Sequence, residues 1–141
     1  MKSVIEAIGS YEDMIYVIKI HENGHRCGYV LVDDEKRFEK YHQEYSEHLY
    51  IPELKVHGGI TFIAKIPVVD DFLPPGNWIG FDASHAGDLA DYESAEKYFN
   101  KSEVGRYKMF DLFGKEDGIV RTKEYMITEC KYLIGQILKG E

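Results

Sequence analysis

The sequence lacks most of the features that place a protein quickly. It holds two cysteines in 141 residues, Cys27 and Cys130. Two are too few for a disulfide framework, and spacing alone does not pair them. Free thiols in a reducing compartment are the expectation. Positive charge is in the minority: 17 Lys and Arg stand against 25 Asp and Glu, a net charge of −8. A nucleic-acid backbone requires a basic footprint, so that partner is not expected. A small anion held by local backbone N–H groups and one or two Arg stays compatible with the charge. No apolar run approaches the roughly 18 residues of a membrane span, so no membrane partner is expected. The opening MKSVIEAIGSYED lacks the apolar stretch of a signal peptide, and a cytoplasmic location is the default. P-loop, GxGxxG, GxSxG, HExxH and paired CxxC patterns are missing. Of four prolines, three fall within 67–77 (PVVDDFLPPGN), which marks a loop.

What is present is ordinary for a globular protein, with 44% hydrophobic and 30% charged residues. The length predicts a single α+β domain over residues 1–141. Eleven Tyr suit either pocket walls or half-exposed strand faces.

Residues 1–13 carry no readable element. Met14 to Ile20 is β-branched and aromatic and reads as a strand. Asn23-Gly24 is a hairpin signal, and Arg26 to Val32 reads as the returning strand. Phe38, Tyr41 and Tyr45 recur at helical spacing within 33–50, compatible with a short helix or a structured loop. Ile60 to Ile66 and Trp78 to Asp82 are further strands. The second is apolar throughout, which predicts burial on both faces and a central place in the sheet. Residues 89–121 mix aromatics, charges and glycines. A long excursion with a helix near 93–100 is the expectation, a strand near 107–113 the alternative. From Thr122 to Lys139, Met126, Ile127, Cys130, Leu133, Ile134, Ile137 and Leu138 repeat at three and four. Thr122 suits an N-cap and Gly140 a stop. The pattern indicates a mainly antiparallel β-sheet packed against a C-terminal amphipathic helix.

Chemistry concentrates at two junctions. The apolar run ending in Phe81 breaks into Asp82, His85, Gly87 and Asp88. These groups suit three jobs: ligating a divalent metal together with His57, orienting a water or hydroxyl, or holding the turn. The second junction is His57-Gly58-Gly59, where glycines permit positive φ and close backbone approach to an anion, or equally a bulge. Thr61 and Phe62 continue from it as a wall. Arg26 is the nearest anion partner in the chain, because guanidinium binds in a bidentate fork.

Three strings in order, GHRCGYV (24–30), HGGITF (57–62) and GFDASHAGD (80–88), resemble a family of small, acidic, uncharacterised proteins of bacteriophages and prophages. The resemblance covers about residues 24–138 and implies a phage accessory protein located in the host cytoplasm. It supplies no activity. Small early phage proteins often act on host defence, and one class of them sequesters nucleotide-derived immune signals in pockets, commonly as homo-oligomers.

The resulting expectation is a protein that binds, and sequesters, a small polar, nucleotide-like ligand. His57, Gly58, Gly59, Thr61, Asp82, His85 and Asp88 would contact it, with Phe62, Trp78 and Phe81 behind and Arg26 nearby. No cofactor is required by this reading. A metal-dependent hydrolase using His57, Asp82, His85 and Asp88, and a protein-interaction module or host-enzyme inhibitor, are the alternatives. The expectation is geometric: the two junctions should meet at one edge of the sheet.

Overall fold

A computed structural model describes residues 1–69, 71–112 and 117–140. The elements are β1 (Ser3–Tyr11), β2 (Met14–His21), β3 (Arg26–Leu31), α1 (Glu35–His48), β4 (Phe62–Ile66), β5 (Gly76–Asp82), β6 (Asp88–Leu89), α2 (Tyr92–Ala95), α3 (Lys101–Asp111), β7 (Ile119–Val120) and α4 (Lys123–Lys139). Five strands form one sheet in the order β1-β2-β3-β5-β4, antiparallel at every pairing. β6 and β7 pair in parallel as a separate two-stranded ribbon. This is the α+β architecture that the hydrophobic pattern predicts. Among the described residues no helix is long and apolar enough to cross a membrane.

The sheet separates two cores. On one face, Ile18, Val30, Ile79 and Phe81 pack against Met126, Cys130, Leu133, Ile134 and Ile137 of α4, with Phe38 and Tyr41 of α1 closing the side. On the other face, Val17, Cys27, Tyr29, Ile66 and Trp78 are covered by Leu73 and Phe72 from the proline-rich loop. Alternation along β5 sends Ile79 and Phe81 to the first core and Trp78 to the second, so the strand is buried on both sides. It lies between β3 and β4, as its unbroken apolar character predicts. The two cysteines are free and buried in different cores.

Within residues 33–50 the chain forms the helix α1, Glu35–His48. Asp34 caps it by accepting from Arg37 N, and Leu49 stops it in the left-handed region. β1 is the element that the sequence hides. It is an edge strand with one alanine, one glycine and a buried acid. Its turn to β2 is built from Glu12 and Asp13, both at positive φ (50° and 64°), positions where Asn-Gly would announce the hairpin. His21, at the end of β2, is partly buried and lies 3.2 Å from the Cys27 sulfur.

The excursion after β6 holds two helices, and residues 107–111 are helical rather than extended. Residues 113–116 lie outside the described residues. Asn100 caps α3, and Val104 is its one buried residue, so no apolar stripe marks the helix in sequence. The excursion is tied to the sheet by Arg26. A register shift at Glu6 in β1 turns that carboxylate inward. Arg26 meets it with two parallel bonds of 2.6 and 3.0 Å, then donates to Asp91 at 2.8 Å and to the Arg121 carbonyl at 3.1 Å. One buried guanidinium thus fastens both ends of the excursion to β1 and β3.

Replacing Glu12-Asp13 by Asn-Gly should raise stability by about 1 kcal/mol, because Asn tolerates the left-handed region and Gly enters it without steric cost, less the entropy Gly adds to the unfolded chain. Urea unfolding would show this as a higher midpoint at unchanged slope.

Candidate functional site

The site grows from three segments that lie far apart in sequence. α4 starts at Thr122, whose hydroxyl accepts from Tyr125 N. Beside its apolar stripe runs a polar one: Tyr125, Glu129 and Gln136, each one position before a buried residue of the core. This polar stripe clasps the chain at 55–57. Gln136 exchanges two bonds with the Lys55 backbone at 2.5 and 2.6 Å. Glu129 accepts from His57 N at 2.8 Å, and the Tyr125 hydroxyl lies 2.8 Å from His57 Nδ1.

The other His57 nitrogen meets Asp88. Nε2 is 2.9 Å from both carboxylate oxygens. Asp88 also accepts from His85 N at 3.1 Å and from Arg121 Nε at 3.0 Å. Burial alone would push this carboxyl up; bonds from His57, the His85 N–H and Arg121 outweigh it and hold it below its ordinary value. An ionised carboxylate only accepts, so the proton between the two groups sits on His57 Nε2. In the neutral imidazole Nδ1 then accepts from Tyr125. The phenol suits that role, because burial and the Glu129 carboxylate push it upward and keep it protonated. Tyr125, His57 and Asp88 form a directed relay, and the Arg121 guanidinium closes over the Tyr125 ring at 5.0 Å.

Arg121 reaches Asp88 because the excursion returns to its own start. Gly118 crosses so close to Gly87 that an added Cβ would lie 2.4 Å from the Gly87 carbonyl oxygen. Ile119 N donates to that same carbonyl, and β7 pairs with β6. The step from Val120 to Arg121 then places the side chain on Asp88.

A second pair stands next to the first. Asp82 accepts from Ser84 N at 3.1 Å, as an Asx turn does, and from Thr61 Oγ1 at 3.0 Å. It also lies 3.0 Å from His85 Nε2. The His85 ring rests on Gly58, where a Cβ would come within 2.4 Å of it; Gly58 is at φ +70°. The two imidazole centroids are 6.4 Å apart. His57 is 13% exposed and both its nitrogens are engaged, whereas His85 is 40% exposed. With Nε2 on Asp82, His85 Nδ1 has no protein partner among the described residues. A carboxylate-backed imidazole with one open nitrogen can donate to, accept from, or exchange a proton with a bound group.

The two junctions therefore meet, and His57, Gly58, Thr61, Asp82, His85 and Asp88 share one corner of the sheet. Four residues grouped with them do not. Phe62 and Trp78 point into the core on the opposite face, because strand alternation sends them there. Phe81 is 1% exposed, within the core beneath α4. Arg26 is consumed by Glu6, Asp91 and the Arg121 carbonyl. The glycine turn also differs from an open anion cradle. Gly59 N donates to the Val56 carbonyl, and Gly58 carries the His85 ring. The four residues weighed as metal ligands divide into two pairs, His57–Asp88 and His85–Asp82. Among the described residues no group of three or more His, Cys, Asp or Glu side chains is placed to hold a metal ion. Tyr125, Glu129, Gln136 and Arg121 escape a reading by motif. The polar stripe one step ahead of the apolar stripe is the available signal for the first three.

A groove of about 310 Å³ adjoins the same turn, lined by Tyr50, Pro52, Leu54, Lys55, Val56, Gly58 and Gly59. A larger cleft of about 490 Å³, lined by Asp34, Lys36, Arg37, Lys40 and Gly140, lies at the opposite end of α4 from Tyr125. Comparison of the chain with protein-family models, curated proteins and solved structures finds no match.

Two outcomes follow from this geometry. Asp88→Asn should cost about 3 kcal/mol at neutral pH, since it strands His57 and Arg121 around a weaker acceptor. The Asp88 carboxyl is depressed when folded, so its stabilisation is complete above its ordinary value of 3.8 and fades as pH falls through the lower folded value. Unfolding free energies measured against pH should therefore converge for wild type and variant at acid pH. Gly58→Ala should cost about 1–2 kcal/mol from positive φ alone and displace the His85 ring, which the His85 imidazole resonances would report.

Proposed function

We propose that this protein binds a small polar, nucleotide-like ligand at the corner where the His57-Gly58-Gly59 turn meets the Asp82–Asp88 turn. The observation that carries this reading is His85. It is held by Asp82, 40% exposed, and seated on Gly58, a residue that also lines the groove. His57 and Asp88 anchor the turn, and their engagement with Tyr125 and Arg121 leaves His85 as the contact group. The groove adds a cation, Lys55, for a phosphate or carboxylate. It also adds Tyr50, 56% exposed, as a ring face for a base. Its volume is at the lower end of small-molecule sites, which suits a mononucleotide-sized ligand. The resemblance of the three strings supplies no activity; the phage setting it implies is one in which sequestering such a molecule in the host cytoplasm would serve.

A second reading rests on the same pair. An imidazole oriented by a carboxylate is also the arrangement of a general base, and a bound phosphoester would then be hydrolysed.

The test is calorimetric titration with a panel of nucleoside phosphates and cyclic nucleotides, followed by chromatography of the recovered ligand. We expect binding of at least one member with the ligand recovered unchanged. His85→Ala and Lys55→Ala should each weaken it about tenfold or more, the worth of a hydrogen bond to a charged group. A folded protein that binds none of the panel overturns the proposal. Conversion of the ligand replaces it with the hydrolytic reading.

A further inference from the structure

β1 is an edge strand of nine residues, long for an open edge, and among the described residues its outer side has no strand against it. Natural edges of this length are ordinarily blunted by Lys, Pro, a bulge, an inward-pointing charge or a covering element. Ser3–Tyr11 contains no proline and a single charged residue, Glu6. The bulge at Glu6 turns that charge inward, where Arg26 already neutralises it, and the arms on either side, residues 3–5 and 7–11, carry no charge.

The face next to this edge is apolar. Ile5 pairs with Lys19, Ile8 with Val17 and Ser10 with Ile15, so Ile5, Ile8 and Ile15 share the sheet face that turns away from α4. All three are exposed, Ile8 at 63%. The proline-rich loop that covers Val17 and Trp78 does not bury them.

The charges at the two ends of the strand have opposite sign. Lys2 precedes it, and Glu12 and Asp13 follow it. All three are exposed, and Lys2 also lies 3.3 Å from the Glu103 carboxylate of its own chain. An antiparallel neighbour of the same sequence would bring Lys2 of one copy toward Glu12 and Asp13 of the other, twice by symmetry. A parallel neighbour would place like charges together. Cross-strand pairs of opposite charge favour the first arrangement.

We propose that β1 is a homodimer interface, in which two copies pair antiparallel edge to edge about a two-fold axis to form one ten-stranded sheet. Such an interface is isologous, and it continues the Ile5, Ile8 and Ile15 face from one copy onto the next. Backbone hydrogen bonds supply the affinity, the isoleucines the buried apolar area, and Lys2 with Glu12 and Asp13 the direction of pairing. This interface is separate from the His85 corner and does not depend on a ligand.

Sedimentation velocity on the full chain tests it. We expect a dimer. Ile8→Lys should shift it to monomer with little loss of thermal stability, because the side chain is exposed in the single copy. Lys2→Glu and Glu12→Lys should each weaken the dimer, by like-charge contacts made twice. An equimolar mixture of those two variants should restore it, because the new carboxylate of one variant then faces the new ammonium of the other. A wild-type monomer at all accessible concentrations overturns the proposal. So does a dimer unaffected by Ile8→Lys and by both charge reversals, which would place the contact on another surface. A dimer disrupted by Ile8→Lys but not restored in the mixture overturns the antiparallel register.

Discussion

A carboxylate without water must find its donors in the protein, and Asp88 finds them in three different stretches of chain. His57 comes from the loop before β4, the His85 N–H from its own turn, and Arg121 from beyond the excursion. At 1% exposure the group has little solvent to fall back on. Leaving any donor out would strand a charge at a cost of several kcal/mol, so the three segments are held in one arrangement. Tyr125 and Glu129 extend the same constraint into α4 through His57. The corner of the molecule that holds the candidate site is organised by the needs of this one group.

A second buried charge works beside it. Arg26 gathers Glu6, Asp91 and the Arg121 carbonyl, while Arg121 itself donates to Asp88. The two networks share that residue, one at its backbone and one at its side chain. This explains how a segment of some thirty residues, with few apolar anchors, ends where it does. Ala95 and Val104 pack on Ile20, which is a small core, and hydrogen bonding supplies the positional accuracy. The division of labour at the corner also becomes clear. His57 is buried and doubly bonded and serves structure. His85 is half open and singly bonded, and is the group free to meet a ligand.

The legible and hidden parts of the chain separate along physical lines. The β2–β3 hairpin, the doubly buried β5 and the helix α4 are readable because each leaves a repeating apolar pattern or a turn signal. β1 leaves neither: its turn uses Glu12-Asp13 and its pattern is broken at Glu6, where the register shifts. α3 is hidden by the lack of an apolar stripe. At the site, His57, Gly58, Thr61, Asp82, His85 and Asp88 are visible as reactive residues at strand ends, and they do assemble. Phe62 and Trp78 are misplaced by a reading of the string because nearness in sequence says nothing of face; one step along a strand reverses the direction of a side chain. Arg26 is misread in the same way because its acids lie 20 and 65 residues away.

The sequence by itself determined the layers. Hydrophobic period two or period three-and-four is a local property, and it is enough to specify a sheet, a covering helix and the strand ends where polar groups gather. Only the tertiary structure decided which polar groups are spent and which are left over. Asp82, His85 and Asp88 look equivalent in the string, three residues apart. Folding buries one beneath His57 and Arg121, turns one into a support, and leaves the imidazole between them open. That outcome depends on partners at long sequence separation, and no local spacing encodes it.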